Sequence, residues 1–440
     1  MNAVYLRGDQ PRARWKRLDT AQILKRFFFC ERALIVGSSA WIPHLADLEI
    51  KLLLPYLNWQ NAETANALRN RVFELRYPNR LMEQEGADKP LAQLLARLRE
   101  APGPGAFLQA LATVALPALE RAYAKFLEKS DPLADAPTHR FLKLSRAEKA
   151  DQIAALRVWA DREFCIDPNR SRADAWVEAF ASGLEGLGGI DTDVTPPEGE
   201  VEPIPGSRPL VAPERPARDP RYWPCRFYWP DNIDPNFPYG EGLALQLRSA
   251  ISHLNEVWAV EHGGIILTEF AEALHWEWIY DAARWTYDES RHCRMGQIRL
   301  AAWGFDPAEI PLGSYIYQSA NGADPICRLG MLYFFETKNI GRKPERTAAF
   351  KTIGDAASEH DMDFDWADET IHAAYGNRWL RALHEKDPSR YPAPDEVRKR
   401  CEALVRETVA GALEAEKAAI TERAGALLKQ AAILAGGSAR

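Results

Sequence analysis

Four glutamates and two histidines recur in a fixed order between residues 261 and 372: Glu261, then Glu289-Ser290-Arg291-His292, then Glu336, then Glu369-Thr370-Ile371-His372. Read as chemistry, this is Glu, Glu-x-x-His, Glu, Glu-x-x-His, a set of ligands able to hold two metal ions in the core of a four-helix bundle. Residues three apart share one face of a helix, so each Glu-x-x-His pair can address one metal. Glu261 precedes Glu289 by 28 residues and Glu336 precedes Glu369 by 33. Arms of about 12 to 14 residues rise about 18 to 21 Å at 1.5 Å per residue. Both carboxylates of a pair then return to one height, and two such hairpins gather six side chains at one level of one core. Carboxylates with two imidazoles suit iron or manganese better than a thiolate-rich site would. The bland alternative is structural salt bridging, but burying four carboxylates together is costly without cations to balance them.

A further Glu-x-x-His, Glu272-Ala273-Leu274-His275, lies 17 residues before Glu289, about 25 Å along a continuous helix. It is expected at the surface, in or beside the first hairpin's turn. On the first helix Glu256 competes with Glu261 for the ligand role, and the Gly263-Gly264 pair interrupts the helical pattern. Trp285 falls four residues before Glu289 and near its face, Tyr287 lies on a neighbouring face, and Asp365 precedes Glu369 by one turn. These three are candidates to flank the ligands, Asp365 by orienting an imidazole and the aromatics as electron relays or as core.

Ala259-Val260-Glu261, Asp288-Glu289-Ser290-Arg291-His292, Gly304-Phe305-Asp306, Phe335-Glu336-Thr337-Lys338-Asn339, Gly354-Asp355 and the run from Asp368 to Trp379 carry a family resemblance. The ligand order resembles that of the ferritin-like di-metal carboxylate superfamily, and more narrowly a bacterial ferritin-like branch known mainly as a domain of unknown function. The resemblance implies an all-α, ferritin-like four-helix bundle with Glu261, Glu289, His292, Glu336, Glu369 and His372 as ligands, and Glu289 or Glu369 as bridges. It implies two iron ions, or a manganese/iron pair, with O2 as co-substrate. Two iron(II) ions so held can share the electrons that O2 reduction needs, and the oxidant can take hydrogen from an unreactive C–H bond or oxidise a nitrogen. The expected function is therefore a non-haem di-iron oxidase or oxygenase acting on a small organic molecule, with an external electron donor. Two alternatives stand beside it: a ferritin-like protein that binds or oxidises iron without an organic substrate, and a catalytically silent metal-binding scaffold. A substrate-sized cavity beside the ligands would favour the first reading, and a closed, fully coordinated pair the scaffold.

Composition sets bounds on partners. The 440 residues are 46% hydrophobic and 27% charged, ordinary for a globular chain. A net charge of -7 and a pI near 5.8 argue against a generally basic nucleic-acid surface. The six cysteines are scattered with no C-x-x-C, as in reduced cytoplasmic proteins. Met1 to Arg17 is polar and basic without an apolar signal core, and no run reaches the length of a membrane span.

Four regions are expected to position the ligands. Residues 1–190 read as a helical domain with apolar spacing at Ile23, Phe27 and Phe28 and at Leu91, Leu94, Leu95 and Leu98. Ser145 and Glu148 suggest a capping box there. Glu31, Glu49, Glu120 and Glu148, with His44 and His139 nearby, raise the question of a degenerate copy of the bundle. Residues 191–240, rich in proline and then in aromatics from Tyr222 to Trp229, read as a linker or wrapping segment that clamps the bundle. Residues 241–385 hold the bundle. Residues 386–440 form an amphipathic helical tail, which packs on its own domain or makes a homodimer contact.

Overall fold

The computed structural model describes residues 14–166, 169–192 and 201–437. The protein is all-α. Among the described residues the β structure is a single two-residue parallel pairing, β1 (Trp223–Pro224) with β2 (Pro311–Leu312). No helix among them is long and apolar enough to cross a membrane, and all six cysteines are free.

The chain forms two compact units, Met1–Ser38 with Gln60–Leu210, and Ser39–Trp59 with Val211–Arg440. This differs from the division expected at residues 190, 240 and 385, and local hydrogen bonds give the reason. In the first unit Arg97 donates to the carbonyl of Val201 (3.1 Å), Arg208 N–H to Glu100 O (2.8 Å) and Trp176 Nε1 to Ser207 Oγ (3.0 Å). In the second unit Asp219 accepts from the N–H of Leu48 (2.8 Å) and Ala217 O from Lys51 Nζ (2.6 Å). Proline removes donors and breaks helix, yet its neighbours' carbonyls and side chains still anchor the segment, so it wraps. Thr195-Pro196-Pro197 lie outside the described residues, as do the first thirteen.

The first unit is built on α1 (Arg17–Ser39), α2 (Leu48–Glu74, whose residues 48–59 belong to the second unit), α3 (Leu116–Lys129), α4 (Ala136–Ile166) and α5 (Arg170–Gly186), joined by shorter helices. Phe27, Phe28, Leu119, Tyr123 and Phe126 fill its core. α4 begins nine residues before Ser145, so the expected cap is a mid-helix serine bonding back to Phe141 O (3.0 Å). At the centre, Glu31 of α1 accepts from Lys149 Nζ of α4 (2.8 Å) and from Tyr123 OH of α3 (2.6 Å), beside Asn61 of α2. A fixed ammonium thus neutralises Glu31. Two of the other glutamates do not join it: Glu49 belongs to the second unit, on Arg294 and Gln297, and Glu120 pairs with Arg146.

The second unit contains α6 (Leu243–Asn255), α7 (Val257–Ala302), α8 (Ile326–Asn339), α9 (Lys343–Thr352), α10 (Ala356–Lys386), α11 (Pro394–Ala410) and α12 (Glu414–Gly437). α7 is a hairpin broken at His275, whose φ of 63° and ψ of -156° end the first arm. Glu272 and His275 of the third Glu-x-x-His are both exposed at this turn. A Cβ on Gly263 would overlap Thr286 Oγ1, and one on Gly296 would overlap Ala250 O and Leu254 N. Both glycines therefore sit where two helical arms come too close for any side chain. Phe227, Tyr228 and Trp229 are buried within this unit, as expected of a clamp. α12 turns Ile420, Ala424, Leu427 and Ala431 inward, a helical stripe packed on its own unit.

Candidate metal centre

Four helical segments converge on one buried chamber. Glu256 stands at the junction of α6 and α7, Glu289 and His292 on the second arm of α7, Glu336 on α8, and Asp365, Glu369 and His372 on α10. Two trios of ligand-capable atoms form there, Glu256–His292–Asp365 and Glu289–Glu336–His372, each with its atoms within 4.8 Å of one another. His292 Nδ1 lies 3.2 Å from Glu256 Oε2 and 3.6 Å from Asp365 Oδ1. His372 Nδ1 lies 3.1 Å from Glu289 Oε1 and 3.7 Å from Glu336 Oε1. The other oxygen of Glu289, Oε2, is 3.6 Å from His292 Nδ1, so this carboxylate faces both trios.

The opposite edge of each imidazole is held by an aspartate. His292 Nε2 lies 3.3 Å from Asp368 Oδ2, and His372 Nε2 lies 3.4 Å from Asp288 Oδ2. An ionised carboxylate only accepts, so each Nε2 is the donor and Nδ1 faces the chamber. The pairing is crossed, because Asp288 precedes Glu289 in one motif and Asp368 precedes Glu369 in the other. Arg291 Nη1 ties the two aspartates together (2.6 and 3.0 Å), and Arg284 Nε adds a bond to Asp288 (2.7 Å). Trp285 Nε1 donates to Glu289 Oε1 (3.0 Å) and reaches Glu336 Oε1 (3.4 Å), while its ring stacks on His372.

Five buried polar atoms here have no aligned hydrogen-bond partner: Glu256 Oε2, His292 Nδ1, Asp365 Oδ1, Glu369 Oε2 and His372 Nδ1. Leaving buried acceptors unpaired costs about 1–3 kcal/mol each, more when charged, so the cluster fits a cation. Lys343 Nζ is also present, on Asp365 Oδ2 and on Glu369 Oε1 (3.1 Å). With neutral imidazoles, the five carboxylates against this one ammonium leave four negative charges, which two divalent cations neutralise. In the metal-free chamber protons relieve the crowding instead. Burial pushes Glu256 up to about 7 and raises Glu336 and Glu369, with neighbouring carboxylates adding to all three. Burial opposes charging His292 and His372, but Asp365 and Asp288 outweigh it and hold both imidazoles well above their ordinary value. Metal binding would therefore release protons.

Of the six ligands expected from sequence, Glu289, His292, Glu336, Glu369 and His372 meet in this chamber. Glu261 does not. It is buried with Lys51 and accepts from Arg218 Nη2 (3.0 Å), so its charge is already matched. Glu256, the alternative, takes its place. Five residues along a helix turn about 140°, so Glu256 and Glu261 face different ways. Asp365 is a candidate ligand as well as an orienting group: its Oδ1 faces His292, while its Oδ2 accepts from His253 Nε2 (3.0 Å). Glu369 enters neither trio; Lys343 engages its Oε1 (3.1 Å), and its Oε2 has no aligned partner. Tyr287 stands apart, half-buried against Tyr56 and Arg291, and does not touch the ligands. Sequence reasoning missed Asp288, Asp368, His253 and Lys343. The signal for the two aspartates was legible, since both motifs read Asp-Glu-x-x-His.

A cavity of about 700 Å³ opens onto Glu256, Glu289, Glu336 and Glu369, with Trp258, Tyr315 and Phe335 on its walls. Residues 216–433 match the model of a family described as a protein of unknown function, DUF455. That span includes every residue of the chamber. No curated protein and no solved structure matches the chain.

Proposed function

We propose that this protein is a non-haem di-iron, or manganese/iron, oxidase or oxygenase of ferritin-like type, acting on a small organic substrate. The observation that carries the reading is the pair of trios, in which four buried atoms, Glu256 Oε2, His292 Nδ1, Asp365 Oδ1 and His372 Nδ1, have no aligned hydrogen-bond partner, and Glu289 of one trio also faces His292 of the other. Glu256, His292 and Asp365 would hold one ion, and Glu289, Glu336 and His372 the other, with Glu289 placed to serve both. When bound, the pair supplies the electrons for O2 reduction and an oxidant strong enough for C–H or N oxidation.

The chain's own residues do the positioning. Asp288 and Asp368 fix the ring orientation of the two histidines, and Arg291 fixes the aspartates. Trp285 holds Glu289 and Glu336 in register. The cavity gives a substrate access to one side of the chamber, where Trp258 and Phe335 help exclude water. Such access supports an organic substrate over a closed scaffold or a protein that handles iron alone.

The test is metal content together with the absorption spectrum after anaerobic Fe(II) loading and exposure to O2. About two ions per chain and an absorption change on oxygenation are expected. Absence of stoichiometric metal, or iron bound without any reaction with oxygen, would end the oxygenase reading.

A further inference from the structure

The cavity has a second polar pole, distant from the carboxylates. Arg248, Ser252 and Glu256 all line it. They follow one another at four-residue steps, so they share one helical face, and Arg248 and Glu256 stand about 12 Å apart along the axis. Arg248 is only 6% exposed. Its Nε and Nη2 bind Asp231 at 2.8 and 3.0 Å, a bidentate pair, but its Nη1 has no hydrogen-bond partner. A buried guanidinium N–H left without an acceptor is costly, and here it borders a cavity large enough to supply one.

The surroundings of that N–H are positive. The ring of Tyr239 lies between two guanidinium groups, 4.9 Å from Arg248 and 4.1 Å from Arg346. Arg346, Arg342 and Lys338 line the same cavity. Asp231 already offsets Arg248, and no ion pair among the described residues engages Arg346, which shares the Tyr239 ring with it. The aromatic walls at Tyr315, Trp258 and Phe335 complete a space with an apolar lining between a basic end and the chamber.

Resting on the reading of the chamber as an oxygen-activating metal centre, we propose that the substrate is an amphipathic organic acid. Its anionic head, a carboxylate or a phosphate, accepts from Arg248 Nη1 with Arg346 beside it. Its apolar or aromatic body extends toward Glu256 and Glu289, which places the reacting carbon or nitrogen at the opposite end from the charge. Arginine suits this role because its planar fork binds Asp231 with one edge and keeps a further N–H for the ligand.

Calorimetry on the metal-free full-length chain tests the anion site independently of the metal. The probes are phenylacetate, phenyl phosphate and the neutral phenylacetamide. One or both acids should bind about tenfold more tightly than the amide, and the stronger acid identifies the head group. Arg346→Ala should weaken acid binding about tenfold with little effect on the amide. Because Arg248→Met alone strands Asp231, the double variant Arg248→Met/Asp231→Asn is used to remove the preference while keeping the fold. Equal binding of acid and amide, no binding of either acid, or a preference unmoved by both variants overturns the proposal. Fe(II) stoichiometry measured on the same proteins reports separately on the chamber, so an anion preference without metal would sink the metal reading alone.

Discussion

Asp368 lies 3.3 Å from Nε2 of His292, although the two belong to different Asp-Glu-x-x-His motifs, 76 residues apart. The mirror pair, Asp288 with His372, closes the cross. Each motif thus orients the other's imidazole, so the two trios are mechanically coupled. Replacing Asp368 or Asp288 by Asn keeps the shape but removes the charge that holds the ring. Metal affinity should fall about 10- to 100-fold, with the fold retained, as read by metal titration alongside circular dichroism.

Glu256 and Glu261 separate the two readings of the first helix. Glu256→Gln should cost bound metal, seen as fewer ions per chain by elemental analysis, with little loss of thermal stability. Glu261→Gln should do the reverse. It leaves Lys51 and Arg218 buried without their shared partner, a loss of about 3–5 kcal/mol by analogy with broken buried pairs, while metal stoichiometry stays intact. If Glu261→Gln lost metal and kept its stability, the assignment of Glu256 would be wrong.

Lys343 partly fills the charge deficit of the metal-free chamber. Lys343→Met removes that ammonium from beside Asp365 and Glu369, so the metal-free chain should be destabilised by a few kcal/mol. Divalent cations should restore more stability to the variant than to the wild type, because one competing positive charge has gone. Denaturation midpoints with and without Mn(II) measure this, and equal rescue of both proteins would contradict it.

His44 provides a pH dependence outside the chamber. Burial, then the nearby Lys51, depress its imidazole to about 4. A folded-state value below the unfolded one means the unfolded chain takes up the proton first. The contribution of neutral His44 is present above pH 6.5 and is lost as the pH falls toward 4. Its size is at most about 3 kcal/mol and smaller after discounting for partial exposure. His44→Gln should flatten the stability profile in that window, and an unchanged acid limb would count against it.

The hairpin turn at His275 holds a non-glycine residue at positive φ, in a region that normally only glycine occupies, at a cost of about 1–3 kcal/mol. Glycine there relieves the strain but loosens the unfolded chain by about 0.5–1 kcal/mol. His275→Gly should therefore raise stability by about 1 kcal/mol, measurable as a higher denaturation midpoint.

The sequence by itself determined the helical class, through apolar residues recurring at helical spacing, and the Glu-x-x-His pairs whose members share a helix face. It was also enough to place Glu289, His292, Glu336, Glu369 and His372 together, and to set aside the Glu272–His275 copy as surface. What only the tertiary structure decided was phase and partner. Whether Glu256 or Glu261 points inward depends on the break at residue 256 and on Lys51 and Arg218, which arrive from distant segments to neutralise Glu261. The ammonium of Lys343 and the crossed aspartates are likewise contacts between elements far apart in the chain. Spacing along one helix carries no information about which charge another helix will bring opposite it.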